Sequence, residues 1–527
     1  MPPTPEPDRP TTLTAASAAN AAARPDHPAI ICEQRRTTFA ELHRESNRTA
    51  HALHAAGLGL AARVAYLGQE SEHYYEVALA CAKSGCVLVP INWRLTSGEV
   101  DHILRDSGAE LLFMEGAYLP VVERVRDDLP LLRGVVQLDS AGSRGAGLRG
   151  WTAGQPDTDL DPGTGPDDPV VQLYTSGTTG LPKGAILAHR SFFTYVEAAG
   201  DQIGEWVDWL ADDVNLISFP GFHVAGFAWF MHGFVAGATS VVMRAFQAQE
   251  AVRLIREYGV TVTYAAPAML QMVLAEPGVT RQTFQSMRKV TYGAAPISDS
   301  LLRQCLDLIG CEFAQLYAST ETGAAATILP PAAHVPGSPL LRSVGRACPG
   351  SEIKIVDNAD NELPPGEVGQ VCVRTKARML GYWNLPDATA RTLRGEWLYM
   401  GDAAYLDEDG YLYLYDRIND TIIVAAQNIY PAEVEKALGD HPAVADVAVV
   451  GVPDPRWGEA VHACVVLRPD QQATPRELMT FLKGRIADFK IPTGYTFVTD
   501  LPRNPSGKVL RRAVREMLRA QRTPVAA

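Results

Sequence analysis

The stretch Tyr174-Thr-Ser-Gly-Thr-Thr-Gly-Leu-Pro-Lys-Gly-Ala185 places three glycines and four Thr or Ser hydroxyls around a single lysine, Lys183. Glycine lets a backbone take positive φ and approach a ligand closely. Successive free N–H groups in such a loop form a concave anion site, which hydroxyls and an ammonium group strengthen. The apolar run at 169–173 predicts a buried strand before the loop, and residues from 186 onward predict a continuing sheet and a helix. We therefore expect a phosphate-binding loop between elements of a sheet.

This loop differs from a Walker A loop, in which a Gly-Lys pair precedes Ser or Thr. Here Lys183 follows Pro182 and precedes a glycine. A proline has no N–H group and its ring clashes with a preceding helical turn, so we expect no helix running through it. A plain surface turn rich in Gly and Thr is the alternative interpretation, and the Pro-Lys-Gly ending after a buried strand argues against it. The candidate phosphate-binding residues are Thr175, Ser176, Gly177, Thr178, Thr179, Gly180 and Lys183.

Helical and extended patterns alternate over most of the chain. Amphipathic patterns predict helices at 39–58, 74–85 and 96–107, and apolar runs predict strands at 63–67 and 87–91. Strands that alternate with helices of this length indicate βαβ units and mostly parallel sheets, so the fold class is α/β. From 371 to 415 the pattern changes to short strands and turns, which predicts a small β-subdomain.

The length of 527 residues indicates more than one domain. We predict a disordered lead-in at 1–10, an N-terminal domain at 11–416, a boundary at 417–420 and a C-terminal domain at 421–527. The Gly-, Asp- and Pro-rich segment 140–168 predicts a linker into the phosphate loop. In the C-terminal domain we predict an α+β unit with helices at 431–438 and 474–489 and strands at 444–452 and 460–467.

Composition restricts the class of protein. A net charge of −13 argues against nucleic acid as a general partner. The eight cysteines are scattered without a Cys-x-x-Cys pair, which indicates thiols in a reducing cytoplasm and no disulfide or zinc framework. Residues 216–243 contain no charged side chain, but Pro and Gly interrupt them, so we predict strand, loop, core helix and strand without an integral membrane segment. A homodimer is compatible with the sequence.

Five further motifs occur along the chain. They are Phe219-Pro-Gly-Phe-His223, Thr291-Tyr-Gly-Ala-Ala-Pro296, Gln315-Leu-Tyr-Ala-Ser-Thr-Glu-Thr-Gly323, Trp397-Leu-Tyr-Met-Gly-Asp402 and Pro502-Arg-Asn-Pro-Ser-Gly-Lys508. Together with the phosphate loop they resemble the motifs of the adenylate-forming superfamily, which contains acyl-CoA synthetases, adenylation domains of peptide synthetases and luciferases. The resemblance extends from Phe39 to Arg512 and looks closest to the fatty- and aryl-acid CoA ligases.

The resemblance implies a fold and a set of cofactors. The fold would be a large N-terminal adenylate-forming domain, with two αβαβα-type subdomains and a small β-subdomain, and a small mobile α+β C-terminal domain. The reaction would activate an apolar carboxylic acid with ATP and Mg²⁺, release pyrophosphate and pass the acyl group to CoA. An oxygen ligand such as a carboxylate on a partly hydrated ion suits Mg²⁺. A lysine suits charge neutralisation between the reacting groups because it is a compact charge on a long stem.

The resemblance also implies roles for individual residues. Tyr317 would stack on adenine, and Gly293, Ala294 and Ala295 would line the adenine and the acyl carbonyl. Asp402 and Arg417 would bind the ribose. Lys508 would act in the adenylation step with Thr320, Glu321 and His223, and Thr175 and Glu321 would hold the metal. The tentative acyl-pocket residues are His223, Phe227 and Trp229, and the hinge residue is Asn419.

The chain departs from the family pattern on the acceptor side. The family's common Ser-Gly-Gly-Glu-Asn-Ile-Tyr-Pro is Val424-Ala-Ala-Gln-Asn-Ile-Tyr-Pro431 here. If either glycine needs positive φ, an alanine there costs about 1–3 kcal/mol or shifts the backbone. Two acceptors therefore stay open: CoA, as is usual in the family, and an amine, as in related amide-bond synthetases. A nucleotide-binding regulator without catalysis is a third interpretation, which the retained Lys508 disfavours.

Overall fold

The structure is a computed structural model that describes residues 10–139, 147–175, 182–194, 208–295, 297–417, 420, 422–424, 427–454, 458–486, 488–503 and 509–522. The α-helices are α1 (Leu13–Ala23), α2 (Phe39–Ala55), α3 (Glu72–Ser84), α4 (Ser97–Ser107), α5 (Leu119–Glu123), α6 (Gly147–Trp151), α7 (Val224–Val235), α8 (Ala248–Tyr258), α9 (Pro267–Leu274), α10 (Asp299–Ile309), α11 (Pro386–Thr392), α12 (Pro431–Gly439), α13 (Pro475–Leu482) and α14 (Arg511–Arg522).

The first eight strands are β1 (Pro28–Cys32), β2 (Arg35–Thr38), β3 (Arg63–Leu67), β4 (Val87–Ile91), β5 (Leu111–Met114), β6 (Gly134–Gln137), β7 (Pro169–Thr175) and β8 (Lys183–Ala188). The next group is β9 (Val214–Ile217), β10 (Thr239–Val242), β11 (Val262–Ala265), β12 (Lys289–Gly293), β13 (Glu312–Tyr317), β14 (Thr327–Leu329) and β15 (Arg346–Ala347). The remaining strands are β16 (Ser351–Val356), β17 (Gly369–Thr375), β18 (Gly381–Tyr382), β19 (Leu393–Arg394), β20 (Trp397–Leu406), β21 (Leu412–Arg417), β22 (Ile422–Val424), β23 (Gln427–Ile429), β24 (Val444–Asp454), β25 (Gly458–Leu467) and β26 (Gly494–Phe497).

Two large sheets contain strands β1 to β15 and β18. The nine-stranded sheet has the order β15-β14-β13-β12-β11-β9-β10-β1-β2, and its central strands from β13 to β1 are parallel. The seven-stranded sheet has the order β18-β8-β7-β4-β3-β5-β6. Its strands β4 and β3 are buried along nearly their whole length, as expected for parallel strands covered on both faces. The mixed α/β class predicted from the alternating pattern is confirmed.

Local capping explains where the predicted helices begin. Thr38 accepts a hydrogen bond from the N–H of Glu41 while the Glu41 carboxylate accepts one from the N–H of Thr38, which forms a capping box at α2. Thr96 and Glu99 repeat this arrangement at α4. The region 214–242, with its run of uncharged residues, folds as β9, a loop, α7 and β10, in the predicted order. Among the described residues, none of the helices combines the length and the apolar character needed to cross a bilayer.

A smaller sheet and a C-terminal module follow. The smaller sheet has the order β16-β17-β20-β19, with β21 paired to β20. In the C-terminal module the sheet has the order β23-β22-β25-β24, with β26 paired to β25. Alternate residues of β24 face two hydrophobic clusters: Val449 packs with residues of α12 and α13, and Val450 packs with residues of α14. The helices therefore cover both faces of this sheet, which is the predicted α+β unit.

Residue contacts divide the chain into two compact units. One contains Met1–Ile353 and Val373–Leu398, and the other contains Lys354–Cys372 and Tyr399–Ala527. The predicted domain boundary at 417–420 stays a prediction.

Two predicted elements differ from the structure. The predicted linker 140–168 contains the short helix α6, because Leu148 is fully buried in the main core and Trp151 packs edge-on against Phe113. The predicted helix at 474–489 ends at Leu482. Gly484, which follows, has φ 75°, a left-handed conformation that stops a helix and favours glycine.

Candidate active site

Three predicted site segments of the first unit lie at one edge of the nine-stranded sheet. Strands β9, β11, β12 and β13 are parallel neighbours, so their carboxyl ends meet at the same edge. Ligand sites of open α/β sheets lie at this edge. Tyr317 ends β13, Gly293 ends β12, and the loop that leads to His223 follows β9.

The strands that flank the predicted phosphate loop in the chain form an antiparallel pair. Strands β7 and β8 pair directly, with Thr175 opposite Lys183, and the Thr175 hydroxyl donates a long hydrogen bond of 3.4 Å to the Lys183 carbonyl. A Cβ at Gly184 would lie 2.6 Å from Nε2 of Gln172, so the Gln172 side chain would have to shift to admit one. Five predicted phosphate-binding residues lie outside the described residues: Ser176, Gly177, Thr178, Thr179 and Gly180.

Tyr382, which the sequence did not indicate, links Lys183, a predicted phosphate-binding residue, to Glu321, a predicted metal ligand. The Lys183 ammonium lies 4.2 Å from the ring centroid of Tyr382, and the Tyr382 hydroxyl donates a 2.5 Å hydrogen bond to Oε1 of Glu321. Lys183 and Glu321 are partly exposed and Tyr382 is buried. We call this set the Lys183–Tyr382–Glu321 row.

The sequence contains little that would identify Tyr382 as a site residue. Tyr382 lies in β18, a strand of two residues, and a lone aromatic in a turn-rich stretch indicates no particular site. Its place is set by pairing with β8, in which Tyr382 lies opposite Ala185, and by the hydrogen bond from the Trp383 N–H to the Gly184 carbonyl. This pairing joins residues that are far apart in the chain.

The turn after Tyr317 presents Thr320 and Glu321, both partly exposed. The Thr322 hydroxyl donates to the Ser319 and Ala324 carbonyls, which fixes the turn from inside. Gly323 has φ 72°, and a Cβ there would lie 2.1 Å from the Ala377 carbonyl oxygen, so only glycine fits.

The Glu321 carboxylate suits a hydrated divalent cation. Its Oε1 accepts the Tyr382 hydrogen bond, while its Oε2 has no partner among the described residues. No group of three or more His, Cys, Asp or Glu that could hold a metal occurs in the described part of the chain. Mg²⁺ commonly binds through one or two carboxylates together with substrate phosphates and water, so a single carboxylate beside the phosphate hairpin fits it.

The segment after β12 exposes backbone at the sheet edge. Gly293 is buried, and a Cβ there would lie 2.5 Å from the Leu316 carbonyl oxygen and 2.7 Å from the Tyr264 hydroxyl. Ala294 is exposed and takes φ 65°, an unfavourable conformation for a residue with a side chain. Ala295 is also exposed. Strain of this kind concentrates at ligand sites.

His223 occupies the N-cap position of α7, its side chain makes no capping hydrogen bond to the helix, and the residue is partly buried. The imidazole ring lies 4.7 Å from the ring of Phe222 and 5.9 Å from the ring of Phe219. The two ring nitrogens have no hydrogen-bond partner among the described residues. Desolvation, with a smaller contribution from the Arg94 guanidinium, lowers the pKa of His223 to about 4. The imidazole is therefore neutral at physiological pH.

Buried polar groups hold the loop before His223. The Gly221 N–H donates to Oε1 of Glu70 over 2.8 Å, and the Tyr74 hydroxyl donates to the Gly221 carbonyl over 2.8 Å. The Tyr75 hydroxyl donates to Oε2 of Glu70 over 2.7 Å. Desolvation raises the pKa of Glu70 to about 7, although both hydrogen bonds favour its ionised form.

The two tentative acyl-pocket residues of α7 point to different neighbours. Phe227 is fully buried and packs edge-on against Phe192 and Tyr74 in the main core. Trp229 is also buried, donates from Nε1 to Oδ1 of Asn215 over 2.7 Å and packs against Tyr264. The pocket role of both residues stays a prediction.

The predicted ribose-binding residues belong to the second unit. Asp402 lies on β20 directly opposite Arg417 on β21, and Asp402 is 8% exposed. Three further predicted residues, Asn419, Ala425 and Ala426, and the lysine Lys508 lie outside the described residues.

Comparison with known proteins identifies the family. The model of AMP-binding enzymes matches residues 17–383, and the model of the AMP-binding enzyme C-terminal domain matches residues 433–508. A fatty acid–[acyl-carrier-protein] ligase, ScoC of Streptomyces coeruleorubidus, is 53% identical over 506 residues, which cover 96% of each chain.

Solved structures agree with this result. The anthranilate CoA ligase AuaEII in complex with anthranoyl-AMP superposes with a TM-score of 0.86 at 26% identity, over 97% of this chain and 98% of that one. The amide bond synthetase McbA from Marinactinospora thermotolerans superposes with a TM-score of 0.84 at 28% identity, over 96% and 99%. The predicted fold, a large N-terminal adenylate-forming domain with a smaller C-terminal domain, is confirmed. The chain belongs to the AMP-binding, adenylate-forming enzyme family.

Proposed function

We propose that this protein is an ATP-dependent carboxylic acid ligase that forms an acyl-adenylate and then transfers the acyl group to a thiol. The Lys183–Tyr382–Glu321 row beside the phosphate hairpin is the observation that carries the proposal. It brings a cation, a hydroxyl and a carboxylate to one place, as a nucleoside triphosphate with a bound divalent ion requires. Family membership and the acyl-AMP in a solved relative support the same reaction.

In the first step a carboxylate oxygen attacks the α-phosphorus of ATP. A bond forms between them, the bond to the β-phosphate oxygen breaks, and pyrophosphate leaves. Thr175 and Lys183 would bind the leaving phosphates, and Lys508 would neutralise charge between the carboxylate and the α-phosphate. Glu321 and Thr175 would hold Mg²⁺, which supplies further neutralisation of phosphate charge.

Other residues would orient the reactants. Tyr317 would stack on adenine, Asp402 and Arg417 would bind the ribose, and Thr320 would lie at the α-phosphate. The neutral imidazole of His223 can donate a hydrogen bond to the acid without adding a competing positive charge.

In the second step the acceptor attacks the acyl carbonyl and AMP leaves. We favour the phosphopantetheine thiol of an acyl carrier protein, because the relative at 53% identity is a fatty acid–[acyl-carrier-protein] ligase. The thiol of CoA is the next candidate, since the relative AuaEII is a CoA ligase. We further propose that the C-terminal domain reorients at Asn419 between the two steps.

The proposal is tested with purified protein, ATP, Mg²⁺ and a panel of aliphatic and aromatic acids. We expect pyrophosphate release that depends on the acid. Adding phosphopantetheinylated carrier protein, CoA or simple amines in parallel, with products weighed by mass spectrometry, then identifies the acceptor. No pyrophosphate with any acid would exclude the ligase.

Lys508 separates a ligase from a nucleotide-binding regulator. Lys508→Ala should lower acid-dependent pyrophosphate exchange by about 10²–10³-fold, because one electrostatic contact to the transition state is lost. ATP binding, measured by calorimetry, should be retained. A regulator would show no exchange in either protein.

An amine acceptor is the second candidate, supported by the structural similarity to McbA and by the Ala425-Ala426 pair. If the two methyl groups obstruct a pantetheine arm, Ala425→Gly with Ala426→Gly should raise thiol transfer and leave pyrophosphate exchange unchanged. Equal thiol transfer in both proteins would remove this reason for an amine.

A further inference from the structure

A row of buried aromatic rings begins next to His223. The ring of Phe219 lies 5.9 Å from that of His223 and packs edge-on against Tyr264 at 5.5 Å. The ring of Tyr264 lies 5.8 Å from that of Trp229. We call Phe219, Tyr264 and Trp229 the aromatic wall.

The wall spans the two segments assigned to the acid. It starts at His223, and on its other side the Tyr264 hydroxyl reaches Gly293, where a Cβ would lie 2.7 Å from the phenolic oxygen. Both His223 and Gly293 belong to motifs whose family counterparts lie beside the carboxylate and the acyl carbonyl. Tyr264 therefore lies between the two segments, with Phe219 on one side and Gly293 on the other.

Contacts behind the wall hold the rings in place. Trp229 donates from Nε1 to Oδ1 of Asn215, a fully buried residue, and its ring packs at 4.7 Å from that of Trp209. Phe219, Tyr264 and Trp229 are only 5–6% exposed. Moving one of these rings would break the Trp229 hydrogen bond or open a void, and both cost free energy in a close-packed interior.

We propose that the aromatic wall closes the acid pocket, so that the enzyme accepts short-chain acids and excludes long-chain ones. This inference rests on the proposed ligase function and specifies its substrate class. Each methylene beyond the wall has to displace a packed ring, and a rigid pocket discriminates steeply by size.

The test compares straight-chain acids of increasing length. Butanoate, hexanoate, octanoate and dodecanoate are supplied with ATP and Mg²⁺, and kcat/KM is measured by pyrophosphate release. We expect kcat/KM to fall at least about tenfold from butanoate to octanoate, since one methylene too many is worth about 10–200-fold in such a pocket. Trp229→Ala and Tyr264→Ala should each raise the octanoate-to-butanoate ratio by at least about tenfold.

Phe230→Ala is the matched control. Phe230 follows Trp229 on α7 and is fully buried, but it stacks on Tyr75 outside the wall. Phe230→Ala removes an aromatic ring from the same helix as Trp229→Ala, so it reproduces any nonspecific loss of packing around α7. The ratio should stay at the wild-type value in this variant.

A binding measurement distinguishes a failure of this inference from a failure of the proposed ligase function. Butanoyl- and octanoyl-sulfamoyladenosine, which stand in for the acyl-adenylates, are titrated into the wild-type protein by calorimetry. Tighter binding of the butanoyl compound supports the wall even if no acid is turned over, in which case only the ligase proposal fails. Equal use of octanoate and butanoate by the wild type, or unchanged ratios in both wall variants, would overturn the inference.

Discussion

The Lys183–Tyr382–Glu321 row and the aromatic wall both belong to the first unit, and they are built differently. The row joins an ammonium group, a hydroxyl and a carboxylate, and its two charged members are partly exposed. The wall consists of buried rings held by packing and by one hydrogen bond to Asn215. Exposed charges can rearrange around phosphates and a metal ion, whereas packed rings keep one shape.

The difference separates two properties of the enzyme. Changes in the row should alter the rate of adenylation with little effect on stability, because in the proposed mechanism these charges act on the reacting phosphates. Changes in or behind the wall should alter stability and the choice of acid, because they act through packing. Three predictions test this separation.

The largest effect is expected at Glu321. Glu321→Gln keeps the shape of the side chain and removes the charge offered to the metal, so kcat for adenylation should fall about 10²–10³-fold. Pyrophosphate exchange at saturating ATP and varied Mg²⁺ measures it. The free energy of unfolding should remain close to that of the wild type.

Tyr382→Phe is the matched control for Glu321. It removes one hydrogen bond to the carboxylate and leaves the charge, so a smaller loss, about tenfold, is expected. If the two variants lost the same activity, Glu321 would act only through Tyr382 and the metal assignment would be wrong.

The next effect concerns Glu70, the buried carboxyl group that holds the loop before His223. Burial raises the pKa of its carboxyl to about 7, from an ordinary value of 4.5. Between these values the folded state binds more protons than the unfolded state, so stability is present below pH 4.5 and is lost as pH rises towards 7. Raising the pH from 5 to 8 should therefore lower the free energy of unfolding by about 2–3 kcal/mol through this group.

Glu70→Gln removes that pH dependence and keeps an oxygen that can accept from the Gly221 N–H. Chemical denaturation of both proteins at pH 5 and pH 8 measures the pH dependence of the free energy of unfolding. The difference in unfolding free energy, variant minus wild type, should rise by about 2–3 kcal/mol over this interval. A difference that stays constant with pH would show that Glu70 is ionised throughout.

The smallest effect is expected for Trp229→Phe. The ring is largely kept, but Oδ1 of the buried Asn215 loses its donor, which should cost about 1–2 kcal/mol of stability. Asn215→Ala in the same background should cost less than it does in the wild type, because its partner is already absent. Purely additive losses would contradict the coupling.

Regular patterns allowed much of the fold to be predicted. The strands at 63–67 and 87–91 match β3 and β4, since short apolar runs between helices leave few alternatives. The helix predicted at 474–489 was too long, because amphipathic spacing continued past Gly484 and its left-handed backbone. The short helix α6 was missed because burial of Leu148, and not local preference, stabilises it.

The sequence by itself determined which chemistry the protein carries. The glycines, hydroxyls and lysine of the phosphate loop are local in the chain, and so is the turn that carries Thr320 and Glu321. Such motifs can be identified without knowledge of the tertiary structure. A few consecutive residues supply both the backbone conformation and the hydrogen-bond donors of an anion site.

The tertiary structure alone decided which side chains meet. Tyr382 reaches Glu321 through the pairing of β18 with β8, and Tyr264 reaches Gly293 because β11 and β12 are parallel neighbours. Trp229 meets the ring of Tyr264, a residue of β11, and donates a hydrogen bond to Asn215, a residue of β9. These contacts depend on strand order and on burial, which local residue preferences do not encode.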